Sequence, residues 1–535
     1  VLRARIPEAM VPSLFEAVAE LPQTASGKVN RRALVERACE SALALNSAAT
    51  KELPETPQEE LVSALFAELL GLPSSVGRHE SFFALGGHSL LATRLAAHLS
   101  DRFQIDVPLA DLFGAPTVAE IARLLPGGSA SSQETFAAGP VARPRNPAGE
   151  PLSFAQERLW FLEQLYPGTP LYNIPTIARL SGPVSPAALA AALGEIVRRH
   201  EALRTAFAPP AAGEAPLQRA IDWPRGRALD LPHVDLSALS SAVRDAETHR
   251  LARLEGARPF DLTAGRSLRA ILVERDREAW HLLLTLHHIA ADAWSIGVFL
   301  RELATLYAVA LEGKPSPLPE LGVQVADVAI WQRERLAGDR LASEVSWWRE
   351  ALSGAPQTLD LPTDHPRPAT FPHPARQESG HFAPEVWDGV ERLAREAGAT
   401  PFLVLFAAFS ALLGRAGSQD DLLIGTPIAN RTRVELEPLI GFLVNTLALR
   451  ADLSGDPSFG EMVARVRKTS LAAWGHQDVP FEKLVEDLAP ERDPSRTPLF
   501  QAMLVVQNAP AGPIYLPGIT VEMEEVTLPT AKFDL

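Results

Sequence analysis

Residues 281–295 read HLLLTLHHIAADAWS. The near-continuous apolar run through Leu282, Leu283, Leu284 and Leu286 reads as a strand buried on both faces. It ends in two histidines. Successive side chains of a strand point to opposite faces, so His287 and His288 cannot both face one site unless the strand breaks there. One is expected to work and the other to support. Asp292 follows four residues after His288, across a turn through Ala290 and Ala291. On this string alone three readings stand: a satisfied buried pair, a metal site, or a general base, for which imidazole suits because it titrates near neutrality. No His-Glu-x-x-His occurs and no acidic cluster with metal-ligand spacing adjoins, so no metal is expected.

Around this string lie 535 residues, a length that suggests about three to four domains. Apolar residues make up 46% and charged residues 21%, which excludes a wholly disordered chain, a coiled coil and a collagen. The net charge of −15 argues against non-specific nucleic-acid binding. The single cysteine, Cys39, excludes an internal disulfide framework and any multi-cysteine zinc site, and fits a reducing, cytoplasmic setting. The apolar run Phe402–Leu413 is too short to span a bilayer. With Thr400-Pro401 before it, the run reads as a buried core helix, so no membrane partner is expected. The chain opens on Val1 and closes on Leu535 inside a strand-like run, AKFDL, and both ends are expected to be cuts in a longer polypeptide.

Two stretches read as linkers. Residues 40–55 lack sustained periodicity, and residues 126–150, PGGSASSQETFAAGPVARPRNPAGE, have too little apolar surface to offset the cost of ordering. The expected division is 1–45, 54–126, a linker over 127–148, and 149–535. In the second piece, Thr56-Pro57-Gln58-Glu59 starts a helix that Gly71 stops. A second helix runs from about Ser89 through Leu99, and Thr117-Val118-Ala119-Glu120 opens a last one. This predicts a small all-α bundle. Its odd feature is Gly86-Gly87-His88-Ser89-Leu90. A serine opening a helix reads first as an N-cap, but the amides and dipole of a helix N-terminus also favour a bound phosphate. Leu91 stands where a hydrolase elbow would need a second glycine.

The string FFALGGHSLLAT, residues 82–93, resembles the signature of peptidyl carrier proteins of nonribosomal peptide synthetases. The resemblance implies a four-helix carrier bundle with 4′-phosphopantetheine attached covalently at Ser89, placed there by a phosphopantetheinyl transferase and holding an aminoacyl or peptidyl thioester. Residues 21–34, LPQTASGKVNRRAL, resemble the C-terminal end of adenylation domains of the same synthetases. There Lys28 matches the lysine that stabilises the acyl-adenylate transition. The ATP-binding body of that domain is an expected upstream partner, and no adenylation is expected from this chain.

From Pro151 on, helices alternate with strands. SFAQERLW (153–160), RHEALRT (199–205), the double-histidine string, VADVAIW (325–331), IGFLVNT (440–446), HQDVPFE (476–482) and RDPSRTPL (492–499) follow in order. All seven resemble motifs of condensation domains of nonribosomal peptide synthetases, of the type that takes an L-configured donor. The resemblance implies an α/β domain of two chloramphenicol-acetyltransferase-like lobes with a tunnel between them, truncated at its C-terminal end. It also implies amide formation: a donor thioester enters on one arm, and the amine of a downstream, carrier-bound acceptor attacks it. His288 would face the tunnel and His287 would be structural. Asp292 would hold the histidine loop through a cationic partner, with Arg204 the first candidate and Arg158 the second. The family usually has glycine where this chain has Ala293, which raises the alternative of a carrier and docking fragment with an inactive condensation domain. An epimerisation-type domain, which shares fold and double histidine, is the other alternative.

Overall fold

The computed structural model describes residues 52–126, 139–209, 215–369, 375–488, 493, 495–507, 515–526 and 531–535. Lys28, and with it the expected adenylation remnant, lies outside the described residues.

Among the described residues the carrier bundle has four helices: α1 (Pro57–Leu70), α2 (Ser89–Phe103), α3 (Leu109–Gly114) and α4 (Val118–Leu124). Thr56 caps α1 by accepting from the Glu59 amide, and Gly71 ends it in the left-handed region at φ 65°. Thr117 and Glu120 form the reciprocal capping box that their spacing predicts. Val62, Phe66, Leu95, Leu99, Leu112 and Ile121 close the core. The loop before α2 is tight. A Cβ on Gly87 would sit 2.4 Å from the Phe82 ring, so only glycine lets the chain pass that ring. Ser89 is not the cap of α2. His88 is, accepting from the Leu91 amide through Nδ1, and Ser89 is the first helical residue.

The second piece contains ten further helices among the described residues: α5 (Phe154–Leu165), α6 (Pro186–Arg199), α7 (Ser241–Ala257), α8 (Ala293–Leu311), α9 (Val325–Arg335), α10 (Gly338–Ala351), α11 (Pro384–Glu396), α12 (Pro401–Gly417), α13 (Phe459–Gly475) and α14 (Phe481–Leu488). Its main strands are β1 (Asn173–Ser181), β2 (His233–Asp235), β3 (Leu268–Asp276), β4 (Ala279–His287), β5 (Asp421–Ile428), β6 (Asn445–Asp452), β7 (Tyr515–Leu516) and β8 (Ile519–Glu525). The first lobe is built on a six-stranded sheet ordered β7-β8-β1-β4-β3-β2, antiparallel except for the β2–β3 pair. β4 lies inside this sheet and is buried from Trp280 to its end, as its unbroken apolar run requires. The second lobe holds the β5–β6 ladder, Asp421 opposite Asp452 through Ile428 opposite Asn445, packed with α10 to α14.

The lobes are stitched together, which the two-lobed expectation did not foresee. The segment between β5 and β6 leaves the second lobe and buries Leu436, Leu439, Ile440 and Leu443 in the first lobe's core. Later in the chain, β8 pairs along β1, from Thr520 opposite Ser181 to Glu525 opposite Thr176. α8 is long and apolar enough to cross a bilayer by length and composition alone. It packs against α6 and carries a buried Glu302, which marks it as a core helix. Glu302 takes two hydrogen bonds from Arg199 at 2.9 and 3.0 Å and one from His200 at 3.0 Å. The RHEALRT string thus serves the fold, because His200 Nδ1 also accepts from the Ile440 amide at 3.2 Å and so ties the crossing segment to α8.

Burial alone would raise the Glu302 carboxyl, but His200 and Arg199 outweigh it and hold the group at about 2. A carboxylate depressed in this way stabilises the fold fully above its unfolded pKa, and that contribution is lost as pH falls toward the folded value. Glu302→Gln should therefore lower Tm at neutral pH, corresponding to a loss of stability on the order of 3–5 kcal/mol for one partner of a buried pair removed. The gap to the wild type should narrow in melts taken below about pH 4. An equal gap at all pH values would assign the loss to packing instead.

Candidate active site

β4 delivers the double histidine, and its end decides the two roles. The strand stops at His287, and His288 begins a 3-10 turn through Ala290, so the alternation breaks between the two rings. His287 points into the first lobe, 2% exposed, edge-on to Phe260 and Tyr172. Its Nδ1 accepts from the Ile289 amide at 3.1 Å, which places its proton on Nε2, 3.8 Å from Glu163. His288 is half-buried and stands edge-on to Phe442, ring centroids 5.3 Å apart. Its Nδ1 lies 3.0 Å from the Ala291 carbonyl. A carbonyl only accepts, so Nδ1 carries the proton and Nε2 presents its lone pair. Burial, then the charge of Lys532, push His288 well below the ordinary histidine range, so the ring is neutral at neutral pH. A neutral imidazole with a free Nε2 can accept a proton.

Asp292 holds this turn. It is fully buried and caps α8, accepting from the Ser295 amide at 2.9 Å and the Ser295 hydroxyl at 2.7 Å. Its cationic partner is neither of the arginines expected from the sequence. Arg431 donates to both carboxylate oxygens, at 2.9 and 3.0 Å. Arg204 instead donates to the backbone carbonyls of Ile221 and Arg198, and Arg158 reaches Glu482 at 3.3 Å across the lobes. Sequence reasoning missed Arg431 because it lies 139 residues downstream, in the crossing segment. The only available signal was its place in ANRTR, shortly before the IGFLVNT string. Leu443 also donates its amide to Asp292, and the Gly441 amide donates to the Ser295 hydroxyl oxygen at 3.1 Å. The turn after the histidines is thus fastened to the segment that carries Phe442. Ala293 is the first residue of α8, with ordinary helical backbone, so its methyl causes no backbone strain at the usual glycine position.

Three cavities lie where the lobes meet, neighbours sharing lining residues; Phe442 lines the second, and His288 lines none of the three. The first, about 150 Å³, is lined by Ser89 of the carrier, by Ala293 and Trp294, and by Asn430 and Val444. The second shares Asn430 and Val444 and adds Phe442 and Glu482. The third shares Glu482 and opens beside Phe154, Arg158 and the exposed Phe161. The carrier is seated at the first of these. Arg94 binds Glu437 with two contacts, at 2.9 and 3.0 Å, and His98 approaches the same carboxylate at 3.3 Å. Phe113 stacks on Trp474 at 5.3 Å while its carbonyl accepts from Arg467. Ser89 is half-buried there and lines the first cavity at its helix N-terminus, a setting that suits an attached phosphate.

Residues 149–535 match the family model described as condensation domain, and residues 60–125 match the phosphopantetheine attachment site. This chain belongs to the condensation-domain family. A linear gramicidin synthase polypeptide from Brevibacillus parabrevis is 45% identical over the whole chain, and the match spans 10% of that protein. The X-domain from teicoplanin biosynthesis shares the fold at TM-score 0.64 and 30% identity, over 74% of this chain and 86% of that one. The first condensation domain of the CDA synthetase aligns at TM-score 0.59 and 22% identity, over 72% and 88%, a likeness of fold alone. The chain is a carrier and condensation segment of a nonribosomal peptide synthetase, spanning about a tenth of the length of that gramicidin relative. The phosphopantetheine-site match indicates the covalently attached 4′-phosphopantetheine cofactor.

Two outcomes follow for this condensation domain. Arg431→Ala strands the Asp292 carboxylate and should cost on the order of 3–5 kcal/mol. Arg204→Ala, measured in the same thermal melts, should cost clearly less. The reverse order would return Arg204 to the role first expected of it. Separately, Glu437→Arg should weaken carrier seating by placing like charges together, and adding Arg94→Glu should restore it. A double-mutant cycle on amide-forming rates reads the coupling. Additive losses would show that the two residues do not meet in the working state.

Proposed function

We propose that this chain presents an acyl group from Ser89 and joins it, as an amide, to an amine that enters from the opposite end of the inter-lobe passage. The observation that carries this reading is the position of Ser89. It lines a cavity that shares Asn430 and Val444 with the next one, and that next cavity is lined by Phe442, the ring against which His288 stands. The attached arm supplies a thioester, an acyl donor activated toward amines. Ala293, Trp294 and the β5 end would flank it. A downstream carrier would bring the amine to the third cavity, beside Arg158 and Phe481. The adenylation domain that loads Ser89 and the transferase that modifies it are the further partners on this reading.

The chain's own groups then divide the work. His288 Nε2 accepts the proton that the amine gives up as its nitrogen bonds to the donor carbonyl carbon. The group attached at Ser89 would supply the acyl carbon as a thioester and would be left as a free thiol, the proton taken by His288 accounting for the one the sulfur gains. His287 keeps the turn in place through Ile289 and faces the core of the first lobe. The Asp292–Arg431 pair fixes the backbone that carries His288. Holding both reactants in one passage supplies much of the rate by proximity.

The test loads Ser89 with an aminoacyl-phosphopantetheine, adds a downstream aminoacyl carrier, and follows amide formation by mass spectrometry. Ser89→Ala should give no product. His288→Ala should slow transfer by roughly 10²–10⁴-fold, the usual share of a positioned proton acceptor. Undiminished transfer by the His288→Ala protein would remove the base from the account. Loading without any transfer by the wild type would favour a carrier fragment beside a silent domain.

A further inference from the structure

Lys532 is a charged group near the double histidine that neither the motifs nor the chemistry above employs. It sits in the AKFDL run, which the sequence offered only as strand-like. The run is anchored in the second lobe. Phe533 stacks on Phe500 at 5.5 Å, Asp534 pairs with Arg367, and the Leu535 carbonyl accepts from the Met503 amide at 2.9 Å. From that anchor the half-buried Lys532 reaches the first lobe and sets its ammonium 5.2 Å from the centre of the Tyr172 ring. Tyr172 is one step from the site: its carbonyl accepts the His288 amide at 2.8 Å, and its ring stands edge-on to His287. Among the described residues no carboxylate forms an ion pair with Lys532. A partly desolvated cation that faces an aromatic ring rather than a carboxylate projects its charge into its surroundings.

We propose that Lys532 is a positioning cation of the condensation site, which makes the space around His288 electropositive so that both the imidazole and the incoming amine stay unprotonated. The proposal rests on the reading of His288 as proton acceptor. The groups around Lys532 are Tyr172, Arg158 from α5, and the two histidines at the end of β4. Among the described residues, Glu163, turned toward His287, is the carboxylate that brings negative charge to that end of β4. The charge of Lys532 acts on both histidines in the same direction, downward. Burial, then Arg158, bring Lys532 itself down to about 8, so it remains mostly charged at neutral pH. An acceptor that arrives as an ammonium ion would meet the same field and lose its proton more readily.

The experiment is the pH dependence of single-turnover amide formation by wild type, Lys532→Met, Lys532→Gln and Lys532→Arg, with Tm measured for each. Without the cation His288 is easier to protonate. The acid limb of the neutral variants should move to higher pH by roughly half a unit or more. Lys532→Arg, which keeps the charge, should retain the wild-type limb. A structural role alone would lower Tm or the plateau rate and leave the limb in place. Two neutral variants with a wild-type acid limb would overturn the proposal, as would a limb displaced equally in Lys532→Arg. If instead the wild type has no dependence on His288, the underlying reading fails, and the His288→Ala rate measured alongside makes that failure visible.

Discussion

The buried pair between Asp292 and Arg431 is the constraint on which the site depends. Both side chains are 1% exposed or less, so each has given up its hydration, and only close pairing with complete hydrogen bonding makes that tolerable. The geometry meets most of that demand: among the described residues only the buried Nε of Arg431 lacks a partner within the pair. Two charge-assisted contacts join the pair, the cap of α8 and the Leu443 amide use the remaining carboxylate capacity, and the Ala429 carbonyl takes a further hydrogen bond from Arg431. Asp292 belongs to the turn that follows the histidines, and Arg431 to the segment that crosses from the second lobe. One interaction therefore fixes two things at once: the path of the backbone that carries His288, and the approach of Phe442 to its ring.

On the proposed reading, that arrangement prepares a single imidazole for proton transfer. The break in β4 at His287 turns the two rings apart. The Ala291 carbonyl then selects the tautomer of His288, and burial keeps the ring neutral. None of this requires an acidic partner, and Asp292, the nearest carboxylate by sequence spacing, is committed to Arg431. The carrier is seated by a different kind of interaction. A partly buried charge pair, Arg94 with Glu437, is joined by an aromatic stack, Phe113 on Trp474. Such contacts are individually modest and readily broken, which suits a carrier that, on the proposed reading, is loaded elsewhere.

Much of this was legible in the sequence, for identifiable reasons. The capping residues Thr56 and Thr117, the glycine stop at Gly71, and the unbroken apolar run before His287 are local signals, and local signals survive in one dimension. The contrast between the two histidines followed from strand alternation together with the resemblance to condensation domains. The cap of α2 was misassigned by one residue, because His88 offers a ring nitrogen where a serine oxygen was expected. Arg431 was out of reach because nothing local distinguishes it among the chain's many arginines; the fold alone brings it to Asp292. β8 was hidden for a similar reason. Its sequence, ITVEMEE, alternates apolar with acidic residues as an exposed strand would, and its pairing with β1 joins segments hundreds of residues apart.

The most direct test of the account is the protonation state of His288. Histidine-selective ¹⁵N labelling, with the resonance assigned by comparison with a His288→Gln protein, reports both ring nitrogens separately. The account predicts a protonated Nδ1 and an unprotonated Nε2 from about pH 6 to about pH 8, with no titration across that range. A ring carrying its proton on Nε2, or one charged near neutrality, would contradict it and leave the amine without a proton acceptor at this position.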